Sequence, residues 1–205
     1  MVFIDIEKTI NALDISTITE DRKSVIQPLI AYIQQKADSN IEIRINFICT
    51  HNSRRSHLSQ IWAQTMAHYK NIQNVYCYSG GTEATAIFPK VIETLLNQGF
   101  EINELSKNSN PIYSISFNQN SQPIIGFSKT YENVFNPQSE FAAVMTCSQA
   151  DAGCPFIAGA EKRIPITYED PKLFDNTEQQ NEKYLERSLQ IATEMLYIFS
   201  TIKKA

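Results

Sequence analysis

Apolar residues along the chain recur with two different periods, one typical of helices and one typical of strands. Residues 5–38 are predicted to be helical because Val25, Leu29 and Ile33 recur at the spacing of one helix face. Residues 41–48 instead alternate and are rich in β-branched side chains, which predicts a buried strand. The chain is therefore expected to start with helix and then to enter a sheet.

Beyond residue 48, helices and strands continue to alternate. Helices are predicted over residues 55–69, 88–97 and 178–202, and strands over residues 75–79, 141–146 and 163–167. The last helix is expected to bury an apolar stripe made of Leu185, Leu189, Ala192, Met195 and Phe199. Two alternating runs joined by a turn predict a β-hairpin over residues 111–128. This order predicts an α/β fold of three layers, with a four-stranded, mostly parallel sheet between helices.

The composition indicates where the protein is expected to be located and argues against nucleic-acid and membrane partners. The 205 residues are 42% hydrophobic, as in folded globular proteins, and the net charge of −4 gives no general attraction to nucleic acid. No apolar run approaches the roughly 18 residues that span a bilayer, and the N-terminus lacks a signal-peptide pattern. The expected location is therefore cytoplasmic, with no membrane partner. The four cysteines are not expected to form static disulfides there.

The turn between the first strand and the next helix carries the main candidate chemistry. Cys49 and Arg55 bound this turn in a C-x5-R pattern, at the sheet edge where ligands of parallel sheets bind. Backbone N–H groups of such a turn can form an anion site, and a cysteine there is expected to have its pKa lowered to roughly 3.5–7.5. Arg55 would clamp the anion. The other expected ligands are Thr50, His51, Asn52, Ser53, Arg54 and Ser56. The alternative is a structural cysteine in a chance C-x5-R match.

Two stretches of sequence resemble a known family. Residues 47–56, Phe-Ile-Cys-Thr-His-Asn-Ser-Arg-Arg-Ser, and residues 75–83, with Tyr-Ser-Gly-Gly-Thr-Glu at their end, resemble the low-molecular-weight protein tyrosine phosphatase superfamily, and its thioredoxin-coupled arsenate reductases in particular. The resemblance implies the fold of these phosphatases over residues 41–205. Residues 1–40 would then be a helical N-terminal extension, and residues 108–130 would be an insertion that holds the hairpin.

The resemblance also implies a general acid. In this superfamily an Asp-Pro pair after the last strand donates a proton to the leaving group, which corresponds here to Asp170 before Pro171. An ordinary Asp-Pro turn is the alternative, and Glu169 and Asp175 are competing acids. Phe174 is displaced from the position where the phosphatases carry an aromatic residue, which weakens the phosphotyrosine interpretation.

A second pair of thiols separates the two activities of the superfamily. Cys147 and Cys154 are seven residues apart after a core strand, and this stretch resembles that of the arsenate reductases. The resemblance implies a relay in which Cys49 attacks arsenate, Cys147 attacks Cys49, and Cys154 moves the disulfide to the surface for thioredoxin. The alternatives are a zinc site, which lacks nearby ligands, and two buried cysteines. Cys77 is expected to be a core residue.

The chain departs from the arsenate reductase pattern at a few positions. His51 replaces a glycine and would narrow the mouth of the site, and Arg54 replaces a cysteine and would add charge near the anion. Gln60 replaces the acidic residue that binds potassium in some members, so no potassium, other metal or cofactor is expected. His57 and His68 are expected to be solvated.

Three functions remain open on the sequence alone. They are arsenate reduction, hydrolysis of phosphomonoesters through a Cys49 phosphoenzyme, and non-catalytic phosphate binding. The complete set of Cys49, Arg55 and Asp170 argues against the third, and the second thiol pair favours the first.

Overall fold

The structure is a computed structural model that describes residues 1–154 and 156–203. Its helices are α1 (Ile4–Asn11), α2 (Glu20–Asp38), α3 (Arg55–Tyr69), α4 (Pro89–Asn97), α5 (Ser148–Gly153) and α6 (Gln180–Thr201). Its strands are β1 (Ile43–Cys49), β2 (Val75–Gly81), β3 (Glu101–Glu104), β4 (Tyr113–Ser116), β5 (Ile124–Gly126), β6 (Phe141–Met145) and β7 (Ala160–Pro165). Two 3-10 turns add Ile15–Thr17 and Pro171–Phe174.

The main sheet has four parallel strands in the order β2-β1-β6-β7, which confirms the predicted fold class. Side chains of β1 and β6 alternate between two hydrophobic clusters. Phe47 and Val144 join the larger cluster with α2, α3 and α6, whereas Ile48 and Met145 join a smaller one that includes Ala150 of α5. All four strands end at one edge of the sheet, and the candidate residues follow those ends.

The structure differs from the predicted elements in three places. The helical segment over residues 5–38 is broken between α1 and α2. The predicted hairpin forms as β4 and β5, but β3 joins it to make a three-stranded antiparallel sheet that the alternation did not predict. Finally, the predicted buried stripe of α6 is confirmed at Ala192, Met195 and Phe199 but not at the start of the helix, where Tyr184 and Ser188 are buried and Leu185 is exposed. Polar partners in the interior, described below for Tyr184, account for this difference.

No helix within residues 1–154 and 156–203 has the length and apolar character needed to cross a membrane.

A buried ion pair connects α2 to the C-terminal helix. The Nε and Nη2 atoms of Arg22 donate to the two carboxylate oxygens of Glu194 at 2.8 and 2.9 Å. The Tyr168 hydroxyl donates to the same carboxylate at 2.7 Å. The Glu194 side chain is only 3% exposed, so its charge depends on these partners. Since Tyr168 lies two residues before Asp170, this pair supports the segment that carries the candidate acid.

We expect Arg22→Met to lower the free energy of unfolding by about 3 kcal/mol, because it leaves a buried carboxylate without its cation. Urea unfolding at neutral pH measures this loss. Lys23→Met is the matched control, since the salt bridge of Lys23 is with the exposed Glu20 and its loss should cost less than about 1 kcal/mol. Equal losses in the two variants would contradict the assigned role of the Arg22–Glu194 pair.

Lys129 is a buried cation in the segment that follows β5. It is 2% exposed, and its ammonium lies 4.5 Å from the ring centroid of Phe127 and 5.4 Å from that of Phe135. The ammonium donates one hydrogen bond, to the Phe127 carbonyl at 3.3 Å. Burial lowers the pKa of Lys129 from 10.5 to about 7, because desolvation disfavours the charged form.

This burial makes the stability of the protein depend on pH. Between pH 7 and 10.5 the unfolded chain holds a proton on Lys129 that the folded chain has released, so stability rises with pH in that range. We expect the free energy of unfolding of the wild type to rise by roughly 2 kcal/mol from pH 7 to pH 9, relative to Lys129→Met. Urea unfolding of both proteins at each pH tests this. Parallel pH profiles would show that Lys129 does not titrate in this range.

Candidate active site

The turn between β1 and α3 has the form of an anion-binding loop. Cys49 ends β1 and Arg55 begins α3. Within the described chain, no backbone N–H from Thr50 to Ser56 donates a hydrogen bond to another residue. A series of unpaired N–H groups at a helix N-terminus is a site for an anion. Gly81 leaves room for this turn, because an added Cβ would lie 2.7 Å from the backbone N of Asn52.

A chain of hydrogen bonds ends on the sulfur of Cys49. The backbone N–H of Lys129 donates to Oδ1 of Asn52 at 2.9 Å, and Nδ2 of Asn52 donates to the Ser56 hydroxyl at 2.9 Å. The Ser56 oxygen lies 3.1 Å from Sγ of Cys49. Because Ser56 already accepts a hydrogen bond, its own hydrogen is free to point at the sulfur. This orientation would place a hydrogen-bond donor on the sulfur of the candidate nucleophile.

Asn52 and His57 fix the bend of the loop. Asn52 has a φ of 44°, a left-handed conformation that asparagine tolerates better than most residues. The Asn52 carbonyl accepts a hydrogen bond from Nε2 of His57 at 3.0 Å, and Nδ1 of His57 lies 3.2 Å from the Ser79 hydroxyl. The prediction that His57 is solvated was wrong, because the residue is fully buried. Burial and the nearby charge of Lys129 lower its pKa to about 3, so the ring is neutral.

Arg55 brings the candidate acid to the loop. Its Nη1 donates to the Tyr168 carbonyl at 2.9 Å, and its Nη2 donates to Oδ2 of Asp170 at 2.5 Å. The third donor, Nε, is buried and has no partner in the part of the chain that the structure describes. Buried donors are normally satisfied. An oxyanion in the loop would satisfy this one.

Arg54 lies elsewhere than the sequence suggested. Instead of adding charge at the anion, its guanidinium donates to the Tyr184 hydroxyl at 2.6 Å and to Asp175 at 2.7 Å. His51 also points outwards: its side chain is 44% exposed, and Nε2 lies 3.6 Å from the Glu83 carboxylate. The remaining loop residues Asn52, Ser53 and Ser56 are buried, and Thr50 is half-buried.

The second thiol pair begins beside the loop. Cys147 is buried, and its Sγ lies 3.4 Å from Oγ1 of Thr50, the residue after the candidate nucleophile. The register of β1 and β6 accounts for this contact, because Ile48 pairs with Met145. The same Sγ accepts from the backbone N–H of Ala150 at 3.3 Å. Cys154 is half-buried and follows the short helix α5.

The other expectations for cysteine and histidine have separate outcomes. Cys77 is buried in the larger hydrophobic cluster, as predicted, and burial raises the pKa of its thiol. His68 is half-buried against the Phe117 ring rather than solvated. Across residues 1–154 and 156–203, no group of three or more His, Cys, Asp or Glu side chains has a geometry that could hold a metal ion.

Three further residues contact the candidate machinery without having been singled out from the sequence. They are Lys129, through its backbone, and the two tyrosines Tyr168 and Tyr184. The only signal for Tyr168 was its position just before Asp170. Contacts of the other two residues depend on how the insertion and α6 pack, which no local pattern reveals.

Both phosphatases and arsenate reductases are among the known proteins that this chain resembles. Residues 44–119 match the family described as low molecular weight phosphotyrosine protein phosphatase. Arsenate reductase 2 of Staphylococcus haemolyticus strain JCSC1435 is 29% identical over 127 residues, which cover 62% of this chain and 77% of that one.

Solved structures show the same fold. A low molecular weight phosphotyrosine phosphatase from Vibrio cholerae O395 superposes with a TM-score of 0.52 at 14% identity, over 77% of this chain and 94% of that one. An arsenate reductase in a phosphate-binding state gives 0.51 at 18% identity, over 78% and 99%. Both kinds of relative are enzymes, which confirms the expectation of an enzyme. The resemblance predicted from the sequence is thus confirmed, and the chain is a relative of the low-molecular-weight phosphotyrosine phosphatases and the arsenate reductases.

Proposed function

We propose that this protein is an arsenate reductase that uses Cys49, Cys147 and Cys154 in turn. The observation that carries the proposal is the contact between the Cys147 sulfur and Thr50, which sets a second thiol beside the anion loop. A phosphatase has no use for that thiol. The curated relatives named arsenate reductases support the same activity.

Arsenate binding follows from the donors that the loop leaves free. The unpaired N–H groups from Thr50 to Ser56 and the free Nε of Arg55 would hold its oxygens. Phosphate has the same tetrahedral shape and would compete for the site. Because Arg55 contacts Asp170 in the structure, anion and carboxylate share one guanidinium, and binding brings the acid next to the substrate.

The first chemical step is attack by Cys49. Its thiolate forms a bond to arsenic, and one arsenate oxygen leaves as water after taking a proton from Asp170. In the second step the Cys147 thiolate attacks Sγ of Cys49. A disulfide forms, the sulfur–arsenic bond breaks, and its electron pair remains on arsenic, which leaves as arsenite.

The third step moves the disulfide towards the surface. Cys154 attacks Cys147 and releases Cys49 as a thiolate. The two cysteines stand at opposite ends of α5, so their Cα atoms are about 10 Å apart at 1.5 Å per residue. A disulfide needs a Cα separation of roughly 4.4–6.8 Å, so α5 must unwind in this step. Gly153 lies at an open position, because a Cβ added there would meet no other part of the chain within 4 Å, which leaves space for the rearrangement.

An external dithiol must then reduce the Cys147–Cys154 disulfide, and we propose thioredoxin for this role. Cys154 is the more exposed of the two sulfurs and is the point of attack. The relay needs all three thiols reduced at the start of each cycle. A reducing compartment, the cytoplasm, is therefore the proposed location.

The relay predicts a specific separation of activities. In the presence of thioredoxin, its reductase and NADPH, the wild type should consume NADPH when arsenate is added. Cys154→Ser should lower this steady-state turnover by at least 100-fold, yet still release one arsenite per enzyme in a single turnover, because Cys147 remains. Cys77→Ala is the control and should retain the turnover. If the wild type fails to reduce arsenate, the proposal is wrong.

The ion pair of Arg55 with Asp170 also favours a second function, hydrolysis of phosphomonoesters. Cys49 would attack phosphorus, Asp170 would protonate the leaving oxygen, and water would then release phosphate from the cysteine. The two functions share every group except the second thiol pair. Cys147→Ser and Cys154→Ser should therefore leave hydrolysis of aryl phosphates unchanged.

The role of Asp170 can be measured with aryl phosphates whose leaving groups differ in basicity. We expect Asp170→Asn to lower kcat about 100-fold for a poor, phenol-like leaving group, and less than fivefold for a strongly acidic phenol that needs no proton. Glu169→Gln is the control, since Glu169 is exposed and was the nearest competing acid. A loss in Glu169→Gln rather than in Asp170→Asn would reassign the acid.

A further inference from the structure

Two adjacent arginines hold two carboxylates on the loop that follows β7. Arg55 contacts Asp170, and Arg54 contacts Asp175. Between the two carboxylates lies only the 3-10 turn Pro171–Phe174. The two arginines of the anion loop therefore hold both ends of the turn that follows Asp170. Of the two side chains, only that of Arg55 would also bind the anion.

The contact between Arg54 and Asp175 is buried and is held by several neighbouring side chains. The guanidinium lies 4.1 Å from the ring centroid of Phe88, and that ring stacks on Tyr184 at 5.6 Å. Arg54 and Asp175 keep only 12% and 16% of their side chains exposed. Asp175 also accepts from the Tyr184 hydroxyl at 2.6 Å and from Gln180 at 3.2 Å. A planar guanidinium can stack and donate in two directions at once, which an ammonium cannot.

Tyr184 connects the two charged residues of this network. Its hydroxyl accepts from Nε of Arg54 and donates to Oδ1 of Asp175. Burial and the Asp175 carboxylate raise the pKa of Tyr184, so the hydroxyl keeps the proton that it donates. The interaction therefore persists through the pH range in which the enzyme would work.

We propose that Arg54, Asp175 and Tyr184 form a latch that positions Asp170. When an anion enters, Arg55 divides its donors between the anion and Asp170, and the latch keeps the turn from swinging away. These three are positioning residues, because their side chains bond to one another rather than to the anion, and Arg54 offers the anion only its backbone N–H. This inference rests on the proposed role of Asp170 as the acid, but the presence of the latch can be tested without that role.

The first test measures the turn directly. Hydrogen exchange of the Lys172, Leu173 and Phe174 amides is followed in the presence and absence of saturating phosphate. We expect Arg54→Met and Tyr184→Phe to speed this exchange at least tenfold in both conditions, with no change at the β1 amides. Lys172→Ala, on the same turn but outside the network, is the control. Unchanged exchange in both latch variants would overturn the proposal, whatever the enzyme turns over.

The second test measures how well the acid is placed. With aryl phosphates, Arg54→Met and Asp175→Asn should lower kcat 10- to 100-fold for a phenol-like leaving group, and less than threefold for a strongly acidic phenol. Inhibition by inorganic phosphate should change less than twofold. Weaker phosphate inhibition and equal losses for both leaving groups would place Arg54 at the anion and overturn the latch.

The two tests separate the possible failures. If Asp170→Asn shows no leaving-group effect while Arg54→Met still speeds exchange, the acid assignment fails and the latch remains. Should Arg54→Met fail to fold, Tyr184→Phe removes only one hydroxyl and carries both measurements. Normal exchange and normal kcat in a folded Tyr184→Phe and Asp175→Asn would overturn the proposal.

Discussion

The structure depends on one electrostatic constraint, the row of unpaired backbone N–H groups between Cys49 and Arg55. These donors are satisfied neither by helix nor by sheet, so they remain available to pair with water or with a bound anion. A loop that bends in this way is held from outside. Asn52 in a left-handed conformation, the neutral ring of His57 and the backbone of Lys129 supply that support. The nucleophile is the last member of the same hydrogen-bond chain.

Segments beyond the four-stranded sheet also serve this loop. The segment after β5 reaches it through Ser128, which donates to the His51 carbonyl at 3.0 Å, and through Lys129. The helix α2 acts at longer range, since Arg22 holds Glu194 and Glu194 holds Tyr168, whose carbonyl accepts from Arg55. We infer that residues 1–40 and the insertion stabilise the geometry of the site rather than adding a separate activity.

A feature of the structure could be predicted from the sequence when the residues that form it lie close together in the chain. The strand–turn–helix around Cys49 could be predicted because a buried strand, a helix and the C-x5-R spacing all lie within one short stretch. The strand β3 was not predicted, because its residues are mostly polar and it forms by pairing with β4 of the hairpin. Arg54 was misplaced for a related reason: its partners Asp175 and Tyr184 are more than 120 residues away, and only packing of α6 brings them to the loop.

The choice between reduction and hydrolysis is a choice of what attacks the Cys49 adduct. In the proposed scheme both reactions would begin with the same thiolate, the same clamp and the same acid. Water would then attack phosphorus or arsenic, whereas Cys147 would attack the sulfur of Cys49. Cys147 is 1% exposed and sits against Thr50, which gives the thiol an advantage of position over a diffusing water molecule. Pentavalent arsenic readily accepts two electrons, so its Cys49 adduct would be reduced to arsenite while two thiols are oxidised to a disulfide. A phosphoryl group cannot accept the electrons and must wait for water.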